Sequence, residues 1–575
     1  MKLDRISITK FRSIKKASIA CGHTTAIVGA NNSGKSAILR SLNAFFHPHE
    51  EAEHFTSGSH GYSRHSKARV EIAFSELPGA AAITKHAHGG VLKIRASWKA
   101  RKGVPEYEVC KQSTYKPADE EMLAAVRKYI DFVLIPPHRD PSRFREEERA
   151  LLWQVTDQYL AKATRNRDTI SSKFRGAAEY LESHQLESVS RDLSAIYASP
   201  DDIKFRITLG DALSYRDFVR GLEIRVSEGD SEFSLENCGT GVQSQAIIAL
   251  HRMLARLEKR NIVIGIEEPE TNLHPQAQQR FIRDLAESIE SDSQETQCVL
   301  TTHSTVVVDA LSHEDIALVR KVDDTERGFR SEVTKLEAGF WTHHGLDELR
   351  YQKYHQYRNS DFFYSKLVLV VESTTDADVL RRLFMRDKID LEREGVAILT
   401  LDGGRNLAYA HHLLLEIGLP SVVVLDKDHF VPYANDKRSL SLGANGRPQY
   451  RREYKANSMI EDLVPNAAVR QRLLPALLAN HTEALDLLEP YGVVCMRWAL
   501  EVDLAASKKA RDAMYTSLKV PATKQTERTL LAEYTKGIKR LDVLIDVIDQ
   551  LPLRSLPFSF SRVRKVVKSK LCGEA

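Results

Sequence analysis

Gly29-Ala30-Asn31-Asn32-Ser33-Gly34-Lys35-Ser36 fits the pattern Gly, four residues, then Gly-Lys-Ser/Thr. An apolar run, Thr25 to Val28, leads in, and a run of helical character, Ala37 to Phe46, leads out. In that strand–loop–helix setting the motif reads as a phosphate loop. Backbone amides around Gly29, Asn32 and Gly34 would curl about a triphosphate, helped by the helix N-terminus. Lys35 would reach the β- and γ-phosphates, and the Ser36 hydroxyl would hold Mg²⁺.

Downstream, Ile262-Val263-Ile264-Gly265-Ile266 runs into Glu267-Glu268-Pro269-Glu270. A strand ending in carboxylates is the expected partner of a phosphate loop. Glu267 would support Mg²⁺, and Glu268 would orient or deprotonate the attacking water. The strand Cys298-Val299-Leu300 delivers Thr301-Thr302-His303-Ser304, which puts His303 where a γ-phosphate sensor belongs. Asn237 to Gln245, with Gly239 and Gly241, is a polar, Gly-rich opening of a helix from Ala246 to Leu257 and a second anion cradle. Upstream, residues 3 to 20 alternate as two strands around Phe11-Arg12-Ser13. Ala68 to Phe74, Val91 to Trp98 and Glu106 to Cys110 read as an antiparallel lobe beside the nucleotide site. Phe132 to Ile135 is a buried strand, and 203–209 and 222–226 are two more.

The chain has 575 residues and a net charge of +4, enough length for two or more domains and too mild a charge to imply nucleic acid by itself. Its six scattered cysteines form no zinc or redox spacing. The N-terminus mixes charges where a signal peptide is apolar, and no run reaches the roughly 18 apolar residues of a membrane span. The expectation is a cytoplasmic protein with no membrane association.

The phosphate loop, the Gly-rich helix start, Glu-Glu-Pro-Glu and Thr-Thr-His-Ser together resemble ATP-binding-cassette-type ATPases of DNA repair and chromosome maintenance. The resemblance implies two heads sandwiching ATP, Gly239 and Gly241 in the signature loop, Glu268 as catalytic base and His303 as switch histidine. The loop departs from the common Leu-Ser-Gly-Gly-Gln form.

A second set of acids follows. Lys366 to Val371 is an apolar strand ending at Glu372, with Asp376 four residues on. Val396 to Leu401 ends at Asp402-Gly403-Gly404, and Ser421 to Leu425 ends at Asp426-Lys427-Asp428. This β-α-β-α-β alternation implies a parallel sheet with acids at its carboxyl edge. Glu372, Asp426 and Asp428 could bind one or two hard cations, Mg²⁺ or Mn²⁺. Glu372, Asp376 and Asp426-x-Asp428 resemble the Toprim domain of topoisomerases, primases and certain nucleases, with Ser373 where Gly is usual.

An ATPase head followed by a Toprim domain resembles the overcoming-lysogenisation-defect (OLD) nucleases, some of which defend bacteria against phage, including the Gabija nuclease and retron-associated effectors. The resemblance implies an ATP-binding, metal-dependent DNA endonuclease. It also makes Glu501, in Trp498 to Leu504, a further metal ligand and Lys536 a transition-state cation. Glu461-Asp462 is a rival ligand pair.

The expected fold is α/β: an ABC-type ATPase head over 1–140 and 201–345, a helical insertion over 141–200, a join at 346–365, and a Toprim, Rossmann-like nuclease domain with a helical extension over 366–575. Heads and insertion would build a homodimer or homotetramer on DNA, and a reverse transcriptase with retron DNA, or a helicase, is a conceivable partner. The tail, with five positive charges from Arg562 to Lys570, is either a solvated helix face or a DNA-phosphate contact. The competing reading is an ATP-driven DNA-binding or repair factor whose Toprim fold is a non-cleaving platform.

Overall fold

The computed structural model describes residues 1–137, 141–162, 164–189, 191, 222–228, 231–271, 273–291, 296–351 and 360–572. The expected strand at 203–209, the end of the insertion at 192–200 and most of the join, 352–359, lie outside them. Two compact units divide the chain. One comprises Met1–Ile27, Asn31–Ala310 and Val319–Val333; the other comprises Val28–Ala30, Leu311–Leu318 and Thr334–Ala575.

A twelve-stranded sheet carries the first half of the sequence. Its order is Thr114–Pro117, Glu106–Lys111, Leu92–Trp98, Ala68–Ser75, Lys2–Phe11, Ile14–Ala20, Gly328–Lys335, Ile316–Asp324, Thr24–Val28, Thr296–Thr302, Asn261–Glu267, Ile130–Ile135. The alternating segments from Ala68 to Cys110 pair antiparallel, as expected. They extend this sheet antiparallel from Lys2–Phe11, because Ile6, Ile8, Val70, Ile72, Ile94 and Ala96 all bury the same set of faces. At the other edge the pairing is parallel, Asn261–Glu267 lying between Thr296–Thr302 and Ile130–Ile135. Asn261–Glu267 and Thr296–Thr302 are buried almost throughout, as strands covered on both faces are.

The insertion opens with helices Pro141–Lys162 and Thr164–Leu181, and the first packs on helix Thr240–Glu258. Glu148 accepts the backbone N–H of Ile224 at 2.7 Å, so this arm is pinned where the chain returns. The expected strand from Leu222 begins later, at Arg225–Glu228, and pairs with Ser231–Ser234.

The second unit is built on a four-stranded sheet ordered Val396–Thr400, Leu367–Val371, Ser421–Leu425, Val493–Cys495. All three pairings are parallel. Leu367–Val371 is buried at every position, and helices Thr374–Arg386 and Phe558–Leu571 pack on it. Because Leu367–Val371 comes first in the sequence but lies second in the sheet, the chain reverses its winding beside it. That reversal opens a crevice at the strands' carboxyl ends.

Candidate active sites

Helix Lys35–Phe46 begins where the phosphate loop ends, with Gly34 at φ 108° and Gly29 at φ 152°. A Cβ on Gly34 would stand 2.3 Å from Ser331 Oγ and 2.7 Å from Ser13 Oγ, so glycine is required there by space as well as by φ. Asn32 is also left-handed, at φ 57°. The Ser331 hydroxyl bridges Ser13 Oγ (2.7 Å) and the Ser33 carbonyl, fixing the loop from below.

Around the loop the structure gathers five of the named side chains. Lys35 Nζ lies 3.3 Å from His303 Nδ1, and His303 Nε2 lies 3.2 Å from Glu268 Oε1. Glu267 is buried, pairs with Ser36 through its side chain, and leaves Oε1 without a partner among the described residues. Burial raises Glu267 above the ordinary carboxylate range, and burial lowers Lys35 to about 8. Two groups held off balance by desolvation, an orphaned carboxylate oxygen and an ammonium, fit a site that binds a polyphosphate and its cation together. Glu270 was not singled out, yet its Oε1 accepts the backbone N–H of His303 at 2.6 Å and so sets that ring. Gly239 caps helix Thr240–Glu258, where Gln243 donates to the carbonyls of Glu236 (3.0 Å) and Cys238 (3.1 Å). A Cβ on Gly241 would meet Leu273 Cδ2 at 2.7 Å.

In the second unit, Glu372 ends strand Leu367–Val371 and Asp426 ends strand Ser421–Leu425, on either side of the reversal in winding. The Asp426 N–H donates to Glu372 Oε1 (3.1 Å), and the Leu500 N–H donates to Asp426 Oδ1 (3.1 Å). Ser373, in place of the usual Gly, caps helix Thr374–Arg386. It forms a reciprocal box in which Asp376 accepts from the Ser373 N–H (3.0 Å) and hydroxyl (2.8 Å). One Asp376 oxygen is thus spent on the cap.

Glu372, Asp376, Asp402, Asp426, Glu501 and Lys539 line one open cleft of about 550 Å³. Asp428 is not on its wall but acts on Glu372 electrostatically from beside it. Burial, then Asp428, pushes Glu372 up to about 7. Burial, then Glu372, pushes Asp426 well above the carboxylate range, and burial raises Asp376 and Asp428. Burial acts on Glu501 in the same sense, but Arg438 and Lys539 outweigh it and hold Glu501 low. Carboxylates crowded to this degree, all oxygen donors, fit one or two hard divalent cations.

Two expectations need correction. The lysine in the cleft is Lys539, 3.6 Å from Glu501; Lys536 is exposed and not on its wall. Glu461 is also outside, exposed and 3.9 Å from Arg470. Most charges of the basic tail are paired within the chain. Arg562 and Lys565 pair with Glu489, and Arg564 and Lys568 pair with Asp387.

The AAA ATPase domain family matches residues 1–132 and 124–308, and the overcoming lysogenization defect protein-like TOPRIM domain matches residues 363–428. The chain belongs to the AAA ATPase domain family and carries an OLD-like TOPRIM domain. It is similar to the OLD nuclease of Thermus scotoductus, 23% identical over 74% of this chain and 82% of that one. It is also similar to the Old nuclease of Escherichia phage P2, 21% identical over 74% and 77%. Endonuclease GajA of Bacillus cereus is 26% identical over 29% of this chain and 26% of its own length. Among solved structures, the SMC head domain from Thermotoga maritima aligns with 59% of this chain and 100% of its own, at 17% identity and a TM-score of 0.32. No described helix is long and apolar enough to cross a membrane.

Proposed function

We propose that this protein is an ATP-dependent, divalent-metal-dependent DNA endonuclease of anti-phage defence, acting in the cytoplasm. The observation that carries the reading is the cleft lined together by Glu372, Asp376, Asp426, Glu501 and Lys539. A docking platform has no need of three carboxylates, Glu372, Asp376 and Asp426, whose burial costs stability until a cation arrives.

Glu372 and Asp426 hold the cation or cations, Mg²⁺ or Mn²⁺, from the cleft wall, supported by Asp428 beside Glu372, with Asp376 positioned by its cap and Glu501 restrained by Arg438. The cations supply charge neutralisation at the phosphodiester and acidify the attacking water. Lys539 faces the charge that develops on the phosphate. At the other site, Lys35 and Ser36 hold the triphosphate and its cation with Glu267, Glu268 positions the water, and His303, set by Glu270, reads the γ-phosphate. Gly239 and Gly241 complete a second copy's nucleotide site in a homodimer or homotetramer, and nucleotide state governs access of DNA to the acids. A reverse transcriptase with retron DNA, or a helicase, is the class of partner that would trigger it.

The test is cleavage of supercoiled plasmid with Mg²⁺ or Mn²⁺, with and without ATP, by the wild-type chain and by Glu372→Ala. Metal-dependent nicking or cutting lost in Glu372→Ala is the expected result. Cleavage retained by that variant would overturn the assignment.

A further inference from the structure

The stretch 340–365 is rich in His, Tyr, Arg and Lys, and the nuclease reading leaves it without a role. In the structure it forms a cluster of different composition from the acidic cleft. One ligand atom each from His343, His344 and Glu416 lies within 4.8 Å of the others. His344 Nε2 and Glu416 Oε1 are 2.6 Å apart, while Glu416 Oε2 is buried and has no hydrogen-bond partner among the described residues.

The scaffold is firm on both sides. His343 ends the short helix Phe340–His343 and His344 caps it. Phe340 and Trp341 are buried, and Trp341 stacks on Tyr351 and Tyr409. Glu416 ends helix Leu407–Glu416, which Thr334 pins by donating to the Ile417 carbonyl at 2.9 Å. The carboxyl end of a helix favours a cation. His412, one turn before Glu416, stacks on His344 at 4.0 Å between ring centroids and limits its rotation.

We propose that His343, His344 and Glu416 form a binding site for a borderline divalent transition metal of the zinc class. Two imidazoles and one carboxylate are a poor set for Mg²⁺ or Ca²⁺, which take oxygen, and a good one for Zn²⁺. Three protein ligands leave a position for water. The metal displaces the proton shared by His344 and Glu416, satisfies the orphaned oxygen, and clips the segment entering the second unit onto helix Leu407–Glu416. This site is separate from the acidic cleft in residues and in chemistry.

The test uses the full-length protein stripped with chelator and titrated with Co²⁺ in excess Mg²⁺, which fills oxygen-donor sites without competing for imidazole. One equivalent of Co²⁺ per chain with visible d–d bands is expected, along with a Zn²⁺-dependent rise in melting temperature. His343→Ala, His344→Ala and Glu416→Gln each weaken Co²⁺ binding by at least the roughly 10–100-fold that loss of even an outer partner costs. Glu416→Gln keeps the side-chain length and a hydrogen bond to His344, so it separates loss of metal from loss of fold. Glu372→Ala leaves the bands unchanged. Absence of bands in the wild type, or bands that persist in His344→Ala and Glu416→Gln, would overturn the proposal.

Discussion

The backbone N–H of Asp426 donates to Oε1 of Glu372 at 3.1 Å, joining the ends of two neighbouring parallel strands. That bond fixes one carboxylate oxygen and leaves the other toward the cleft, so Glu372 is oriented before any cation binds. Orientation and charge can therefore be separated by substitution.

Glu372→Gln retains the acceptor oxygen and the fold but removes the charge. Plasmid cleavage is expected to fall by at least the roughly 10²–10³-fold that loss of one electrostatic stabiliser costs. ATP binding, followed with a fluorescent analogue, is expected to be unchanged. Coupled loss of both would mean that Glu372 supports the fold of the whole chain rather than the chemistry of one site.

Lys539 and Lys536 make a matched pair of exposed lysines on one short segment, and only Lys539 borders the acids. Lys539→Ala should slow cleavage by about 10²-fold. Lys536→Ala should leave the rate about unchanged. Equal effects would indicate a diffuse DNA-binding role for both, read out as a salt-dependent KM.

What the sequence made legible follows from where each residue's environment is written. Glu372 and Asp426 end uninterrupted apolar runs, and such runs announce buried parallel strands whose carboxyl ends converge. Lys539 lies in an irregular stretch between helices Glu527–Glu533 and Leu541–Gln550, where no period says which side chain turns inward. Lys536 was the nearer guess by resemblance. Asp402 follows a strand too, and it lines the cleft in a left-handed conformation, φ 50°. Glu270 acts across 33 residues on the His303 backbone, and the tail's arginines are neutralised by Asp387 and Glu489, far away in sequence. Alternation from Ala68 to Cys110 specified antiparallel strands but not that they continue the sheet through Lys2–Phe11.

At the nucleotide site, Lys35→Ala removes an ammonium that sits against His303 and faces Glu268 and Glu270. ATP affinity should drop about 10–100-fold, the 1.5–3 kcal/mol of a hydrogen bond to a charged group. Glu268→Gln should instead keep binding and lose turnover, measured as phosphate release. If Glu268→Gln hydrolyses ATP at the wild-type rate, the water is positioned by another group.

Gly34→Ala should fail more severely than its small volume suggests. Its φ of 108° is strained for any other residue, and the methyl would collide with the Ser331 and Ser13 hydroxyls. The backbone term alone is about 1–3 kcal/mol. A lower melting temperature together with lost ATP binding is expected. A variant as stable as wild type would show that the loop relaxes freely, against the bridge made by Ser331.

Acid should loosen the first unit at a specific buried pair. Glu51, 1% exposed, accepts from His60 Nε2 (2.7 Å), Asn43 Nδ2 (2.8 Å) and Arg40 Nη1 (3.1 Å). Burial pushes its carboxyl up, but these three donors outweigh burial and hold it at about 2, below its ordinary 4.5. A carboxylate with a depressed folded pKa contributes stability that is complete above the unfolded value and is lost as pH falls toward the folded one. Burial also lowers His60, whose protonation opposes folding in the same direction, starting below its ordinary 6.5. Stability should therefore decline from about pH 6.5 and steepen between 4.5 and 2. Glu51→Gln should be less stable than wild type by about 2 kcal/mol at pH 7, after solvent screening, with the gap closing toward pH 2. Thermal midpoints of the first unfolding transition across that range measure it. A gap independent of pH would mean that Glu51 contributes shape rather than charge.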